Sequence, residues 1–248
     1  MKKIIAVIYL LSFILAANAQ ECPNPSGIPQ DFEVLFNGED FTNWILPEGD
    51  NGHWTIVGDV IDYDAMSEAE DKNLWSEKEY GDFVLFVDWR IKETPYKNNR
   101  VPIIMPDGSH KLDENGEEIK ITVPDSDSGI YLRGSSKSQI NIWCWPIGSG
   151  EVYGYRMDKS LPAKVRKGVT PIINADKNIG EWNTFRIQMK GNYLTVDLNG
   201  QRVLDKAELP GIPEKGKIAL QHHGNKKDGE WVGPPALVQF RNIYIKEL

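Results

Sequence analysis

From Phe32 onward, short runs of β-branched and aromatic residues alternate with clusters of Gly, Pro, Asn and Asp. The clearest runs are Phe83–Ile91, Ser128–Arg133, Ser138–Trp145, Phe185–Lys190, Tyr193–Leu198, Lys217–His223 and Leu237–Lys246. Within them apolar and polar positions alternate with the two-residue period of a half-buried strand. Lys190-Gly191-Asn192 and Leu198-Asn199-Gly200-Gln201 have the chemistry of hairpin turns, the second through its Asn-Gly pair. Residues 185–204 therefore read as a three-stranded meander. No segment sustains a helical period and no internal repeat is visible, so helix is expected only in short turns, near Ser67–Asp71. Many antiparallel strands along one continuous chain predict an all-β fold, a two-sheet antiparallel sandwich or jelly roll.

The same period sorts side chains by face. In Ser138–Trp145, Ile140, Ile142 and Cys144 point to the core, while Gln139, Asn141, Trp143 and Trp145 share the other side. Two Trp beside two amides suit a flat polyhydroxylated ligand, because ring faces stack on sugar C–H surfaces and amides direct hydroxyls. The competing reading is a Trp pair roofed by a loop. Tyr131 and Arg133 point away from the core set Ile130 and Leu132. Asp88 and Arg90 lie opposite Leu85, Val87, Trp89 and Ile91, and an ion pair with neighbours is their plainer role. Gln221 and His223 lie opposite His222, so the adjacent histidines do not ligate one metal together. Glu151 and Tyr153 follow the Gly148-Ser149-Gly150 turn on one side. If these faces converge, one cleft gathers Asp88, Arg133, Gln139, Asn141, Trp143, Trp145, Glu151, Tyr153, Gln221 and His223, with acid, base, cation and aromatic walls together. For His223 alone, a hydrogen-bonded structural imidazole is the plainer reading.

The stretch about 93–127 breaks the rhythm, with Pro95, Pro102, Pro106 and Pro124 and the turns Asp107-Gly108 and Asn115-Gly116. It reads as a loop insertion carrying a small polar hairpin, walling one side of a cleft or decorating the surface. Asp125-Ser126-Asp127 resembles a fragment of a calcium loop, lacks the downstream Glu, and is read as a turn.

At the start, Lys2 and Lys3 precede the apolar run Ile4–Ala17, and Ala17-Asn18-Ala19 supplies a small-x-small cleavage pattern. Residues 1–19 are expected to be a signal peptide and 20–31 a flexible Pro-rich segment, leaving one domain over 32–248 and a periplasmic or secreted product. No other apolar run is long enough to span a membrane. The 248 residues carry 28 Lys plus Arg against 36 Asp plus Glu, and no basic block stands out, which argues against nucleic acid as a partner. Cys22 and Cys144 are too few for a disulfide framework and read as unpaired, with Cys144 a small buried hydrophobe. There is no Gly-rich phosphate loop, no H-E-x-x-H and no G-x-S-x-G. Nor does any strand carry the closely spaced carboxylates of a retaining glucanase.

The segments FEVLFNGEDFTNW, HWTIVGDVI, SDSGIYLRG, GEWNTFRI, LNG, IALQHHG and VQFRNIYIKEL, in this order, resemble the 3-keto-disaccharide hydrolase family. The resemblance implies a concanavalin A-like jelly-roll sandwich of the lectin/glucanase type, exported by bacteria and acting on oxidised glycosides. It places Arg133, Gln139 and His223 at the family's LR, QI and HG motifs. Lys137 stands where a Glu is common and His222 where an Asp is common, while the NIWCWPIGSGEVYGYR stretch adds Glu151. It further implies that a C3 ketone acidifies the C2 proton, that His223 or Glu151 removes it, and that Arg133 stabilises the enolate. A divalent ion could take the place of Arg133, with His223, Glu151 or Asp88 as ligands. The partner is then an oligosaccharide or glycoside. A non-catalytic carbohydrate-binding module, a conventional glycoside hydrolase and a purely structural sandwich are the competing readings.

Overall fold

A computed structural model describes residues 31–248. The expected signal peptide, nearly all of the 20–31 segment and Cys22 lie outside the described residues. The chain begins with β1 (Glu33–Val34), β2 (Trp44–Ile45), β3 (Trp54–Val57), β4 (Val60–Tyr63), β5 (Leu74–Tyr80) and β6 (Phe83–Ile91). A hairpin of β7 (Tyr96–Pro102) and β8 (Lys120–Asp125) precedes β9 (Asp127–Leu132) and β10 (Ser135–Trp143). Two short helices follow, α1 (Tyr153–Arg156) and α2 (Ala163–Gly168). Then come β11 (Asn183–Lys190), β12 (Tyr193–Leu198), β13 (Gln201–Glu208) and β14 (Gly216–Leu220). The ribbon β15 (Lys226–Lys227) and β16 (Glu230–Trp231) leads to β17 (Val238–Glu247).

The strands form two antiparallel sheets. The eight-stranded sheet runs β13-β12-β11-β6-β17-β4-β3 with β1 along β17, and the five-stranded sheet runs β10-β9-β14-β5-β2. Their inner faces follow the alternation read from the sequence. Phe83, Leu85, Val87, Trp89 and Ile91 of β6 are buried together with Ile130 and Leu132 of β9 and Ile140 and Ile142 of β10 in one cluster. The 185–204 meander is observed with Phe185 opposite Leu198 and Lys190 opposite Tyr193. Asn199 and Gly200 both have positive φ, as the tight turn demands. In β17 the alternation slips between Phe240 and Ile243, where the register shifts and Asn242 adopts φ 50°. This bulge returns Ile243 and Ile245 to the core.

Helix forms not at Ser67–Asp71 but in α1 and α2, each too short for a helical period to register. The insertion is an ordered hairpin extended by the bridges Ile104–His110 and Leu112–Glu118. Its tip folds back: His110 Nε2 lies 2.8 Å from Arg156 Nη1, and Gly108 sits against Thr170 and the Arg166 carbonyl. Cys144 carries no disulfide within the described residues and packs against the core as a partly buried thiol. Among the described residues no helix is long and apolar enough to cross a membrane.

The smaller sheet depends on one close backbone approach. Gly216, at the start of β14, faces Arg133 so tightly that a Cβ would lie 2.3 Å from the Arg133 carbonyl carbon. Neither backbone can give way without breaking the β9–β10 turn. Gly216→Ala is expected to destabilise the fold by about 1–3 kcal/mol, read as a lower urea midpoint; an unchanged midpoint would show that the approach is not tight.

Candidate functional site

The site is built where β8 passes into β9. Asp125-Ser126-Asp127 is not a turn: Asp125 ends β8, Asp127 opens β9, and the pair straddles a single irregular residue. Side-chain bonds tie this junction to the segment after β14. Ser126 Oγ donates to the Pro235 carbonyl at 2.5 Å, and Ser128 Oγ donates to the Gln221 carbonyl at 2.8 Å. The Ala236 amide returns to the His223 carbonyl at 2.9 Å. Gly224 has φ 88°, and a Cβ there would fall 2.7 Å from Pro235 Cα. Only glycine lets the chain fold back this closely.

That fold-back sets the chemistry of His223. Its Nδ1 lies 2.6 Å from the Pro234 carbonyl oxygen. A carbonyl only accepts, so Nδ1 carries the proton and Nε2 presents a lone pair in the neutral ring. Nε2 faces the Asp127 carboxylate, 3.9 Å from Oδ2. Only 19% of the Asp127 side chain remains accessible, and no described residue donates a hydrogen bond to its carboxylate. Burial therefore raises its pKa from 3.8 to about 7, with His223 opposing the shift and Asp125 adding to it. A carboxyl that keeps its proton up to about neutrality, beside an imidazole lone pair, is suited to proton transfer. His222 points the other way, its Nδ1 hydrogen-bonded with the Tyr63 hydroxyl at 2.6 Å, and burial lowers its pKa to about 4.

The outer face of the smaller sheet continues from this pair. Gln139 Nε2 donates to Gln221 Oε1 at 2.5 Å, and Gln221 lies beside the Tyr131 hydroxyl. Burial raises the Tyr131 phenol above its ordinary value, keeping it a donor. Trp75, whose neighbour across β14 is Ala219, tilts against Tyr131 with ring centroids 5.9 Å apart. The Asp71 carboxylate anchors the Trp75 indole N–H at 2.6 Å. Two amides, a phenol and an indole plane thus lie on the face that carries Asp127 and His223.

Several residues expected in the same cleft are elsewhere. Asp88 is on the outer face of the larger sheet, accepting from Thr184 Oγ1 and Asn242 Nδ2. Arg133 leaves the opposite end of β9, six residues or roughly 20 Å from Asp127 by strand rise. With φ 50° its side chain turns inward and is 2% exposed. There it donates to the carbonyls of Gly81, Gly191 and Pro213 and pairs with Asp82. Glu151 is fully buried in an ion pair with Arg156, whose guanidinium burial pushes down to about 10. Its backbone runs along the far side of β10, three strand spacings or roughly 14 Å from the segment bearing His223. Asn141 is on the shared face but buried, bonded through its backbone to Gly150 and Glu151.

The tryptophans form no open platform. Trp143 and Trp145 stack on each other at 4.0 Å with an interplanar angle of 6°. Their indole N–H groups are committed to the Gly148 carbonyl and the Asp125 carboxylate. Tyr153 meets the Trp143 ring edge-on and is itself exposed. The roofed reading of the pair is the one observed. His223, Glu151 and Asp88 lie in three places and do not form a ligand set. No group of three or more His, Cys, Asp or Glu side chains able to hold a metal ion exists among the described residues.

Asp127 and Trp75 were not among the expected site residues. Extending the Ser128–Arg133 alternation by one residue puts Asp127 in phase with Gly129 and Tyr131 on the outer face. The alternation of LWSEKEY likewise puts Trp75 outside, between buried Leu74 and Ser76. The Pro234 carbonyl that selects the His223 tautomer has no sequence signal.

The chain matches the 3-keto-alpha-glucoside-1,2-lyase-like domain over residues 31–246 and belongs to that family. Its fold is similar to those of candidate glycosyl hydrolases from Parabacteroides distasonis ATCC 8503. One is 20% identical with a TM-score of 0.57, covering 89% of this chain and 85% of that one. Another is 19% identical with a TM-score of 0.51, covering 88% and 99% respectively. At these identities the likeness establishes the sandwich fold. No curated protein sequence matches the chain at a significant level.

The raised Asp127 pKa has a consequence for stability. Between about pH 4 and pH 7 the folded state keeps a proton that the unfolded chain releases, so ionising Asp127 costs stability increasingly as pH rises through that window. Asp127→Asn is expected to raise unfolding free energy at pH 8 by about 1–3 kcal/mol after allowance for solvent screening. The gain shrinks towards pH 4. Urea titrations at both pH values test this, and a pH-independent effect would contradict it.

Proposed function

We propose that this chain is an exported carbohydrate-active enzyme that cleaves 3-keto-glycosides by elimination across C1 and C2, followed by hydration. The observation that carries this reading is the pairing of His223 Nε2, free of its proton, with a desolvated Asp127 carboxyl 3.9 Å away. A ketone at C3 makes the C2 proton acidic and the C1 oxygen a β leaving group. His223 Nε2 takes the C2 proton, and the electron pair passes to the C3 oxygen as an enolate. The enolate collapses, forming the C1–C2 double bond and breaking the bond from C1 to the leaving oxygen. Asp127 in its acid form gives that oxygen a proton. Water added across the double bond completes net hydrolysis.

Other side chains have roles that follow from position. Tyr131, which lies beside the Gln139–Gln221 pair and whose burial keeps its proton, donates to the enolate oxygen in the part expected of Arg133. Trp75 offers its face to the sugar ring. This route needs none of the paired carboxylates of an ordinary glycosidase. The lyase chemistry in the family's description and the glycosyl hydrolase-like fold agree with it. Export rests on Lys2, Lys3 and the Ile4–Ala17 run before Ala17-Asn18-Ala19.

The test is incubation of the protein lacking residues 1–19 with a 3-keto-glucoside and the matching plain glucoside, followed by NMR. Cleavage of the keto substrate alone is expected, with kcat/KM falling about 10²–10⁴-fold in His223→Ala. Cleavage of the plain glucoside would contradict the requirement for a ketone. Binding without cleavage would make the face a carbohydrate-binding surface built on Trp75 and Tyr131.

A further inference from the structure

We infer that the tip of the insertion is a proton-sensitive latch: His110 seats it on Arg156 while the imidazole is neutral, and a second proton on the ring releases it. The tip, residues 103–119, makes its backbone hydrogen bonds within itself, Lys111 to Ile103, Ile119 to Lys111 and Asp113 to Glu117. Among the described residues, every hydrogen bond from this tip to the body of the fold ends on one side chain, that of Arg156. Its Nη1 donates to His110 Nε2 at 2.8 Å and, at the limit of hydrogen-bond length, to the Gly108 carbonyl at 3.5 Å. Packing adds little. Gly108 is the one buried residue of the tip, and no side chain of 103–119 enters the core cluster.

The partners of the ring fix its protonation state. A guanidinium only donates, so Nε2 accepts and the proton of the neutral ring sits on Nδ1. Nδ1 lies 2.8 Å from Glu118 Oε1, and its hydrogen bond holds the Glu118 carboxyl below its ordinary value. A second proton has only Nε2 to occupy. There it would point N–H at N–H and set two cations together, with 13% of the His110 side chain open to water. The other charges around the ring do not relieve this. Glu151 is paired with Arg156 Nε, and Asp107 accepts from the Ser109 amide and hydroxyl. Lys120 stands 3.9 Å from Glu118, while Lys159 acts on Glu118 and Lys167 on Asp107, all three adding positive charge. The seated tip therefore excludes a proton that the released tip accepts. Seating is favoured as pH rises and is lost as pH falls through the range in which histidines charge.

Release leaves the rest of the fold its own bonds. The root of the insertion stays paired, with Tyr96 opposite Asp125 and Asn98 Nδ2 donating to Asp125 Oδ2 at 2.8 Å. Beneath the tip, the segment entering α1 remains tied to the end of α2 by the Val152 amide and the Val169 carbonyl at 3.1 Å. What the tip takes with it is the cover over Arg156, now 2% exposed, and over the buried Glu151 beyond it. The inference does not rest on the keto-glycoside reading.

Spin labels at Asn115→Cys on the tip and Lys164→Cys on α2, both exposed positions, report the seating by double electron–electron resonance in a Cys22→Ser, Cys144→Ala background. From about pH 8 to about pH 5, the ratio of long to short distances is expected to rise. One linked proton limits that rise to about tenfold per pH unit. His110→Gln keeps a neutral acceptor for Arg156 and is expected to hold the short distance throughout. His110→Arg carries a fixed charge and is expected to show the long distance at both ends of the range. A control pair on the body, Lys164→Cys with Gln201→Cys, should not move. A single unchanging distance with His110 in place would overturn the inference. So would the same pH response in His110→Gln, which would assign the proton to Glu118 or Asp107, and so would a tip that stays seated in His110→Arg. Parallel movement of the control pair would also overturn it, by showing general acid unfolding in place of a latch.

Discussion

The hydrogen bond from His223 Nδ1–H to the Pro234 carbonyl decides what chemistry the candidate site can offer. It consumes the ring's donor, so the other nitrogen faces Asp127 as a base. The bond exists because the chain doubles back immediately after β14, and it doubles back because Gly224 allows a contact that any side chain would block. Ser126 and Ser128 then bolt the returning segment to the strand that carries Asp127. Proline at 234 and 235 removes two competing donors from the same turn and leaves their carbonyls to accept.

Buried charges in this molecule divide into two kinds. Arg133 satisfies four acceptors across three loops, and Glu151 pairs with Arg156 under the folded-back insertion. These groups lock the loops in place, and removing either partner would leave an uncompensated charge. Asp127 is different: no donor meets it and it carries its proton close to neutrality. A carboxyl held in that condition subtracts from stability, which is the usual mark of a group retained for chemistry. The contrast separates Asp127 from Glu151 more clearly than sequence position does.

Much of the fold was legible because a strand's two-residue period survives in any half-buried sheet. The core of β6, the 185–204 meander and the inward set of β10 all follow from it. Bulges such as the one at Asn242 interrupt the period without hiding it. The site was legible in part. His223, Gln139 and Gln221 were placed on the correct face, since one period governs each strand on its own. Asp88 was assigned to the cleft because alternation tells which side of its own sheet a residue takes, not which sheet it belongs to. Arg133 and Glu151 went astray through single local facts, a left-handed residue at the strand end and a buried partner five positions on. Trp143 and Trp145 satisfied the face rule, yet their mutual stacking is a three-dimensional choice that the rule does not contain.

The most direct measurement is the ¹⁵N spectrum of the His223 side chain in the folded protein at neutral pH. The account predicts a protonated, pyrrole-like Nδ1 and an unprotonated, pyridine-like Nε2. A neutral ring carrying its proton on Nε2 would mean that the Pro234 bond does not govern the imidazole. The base proposed for this face would then be absent.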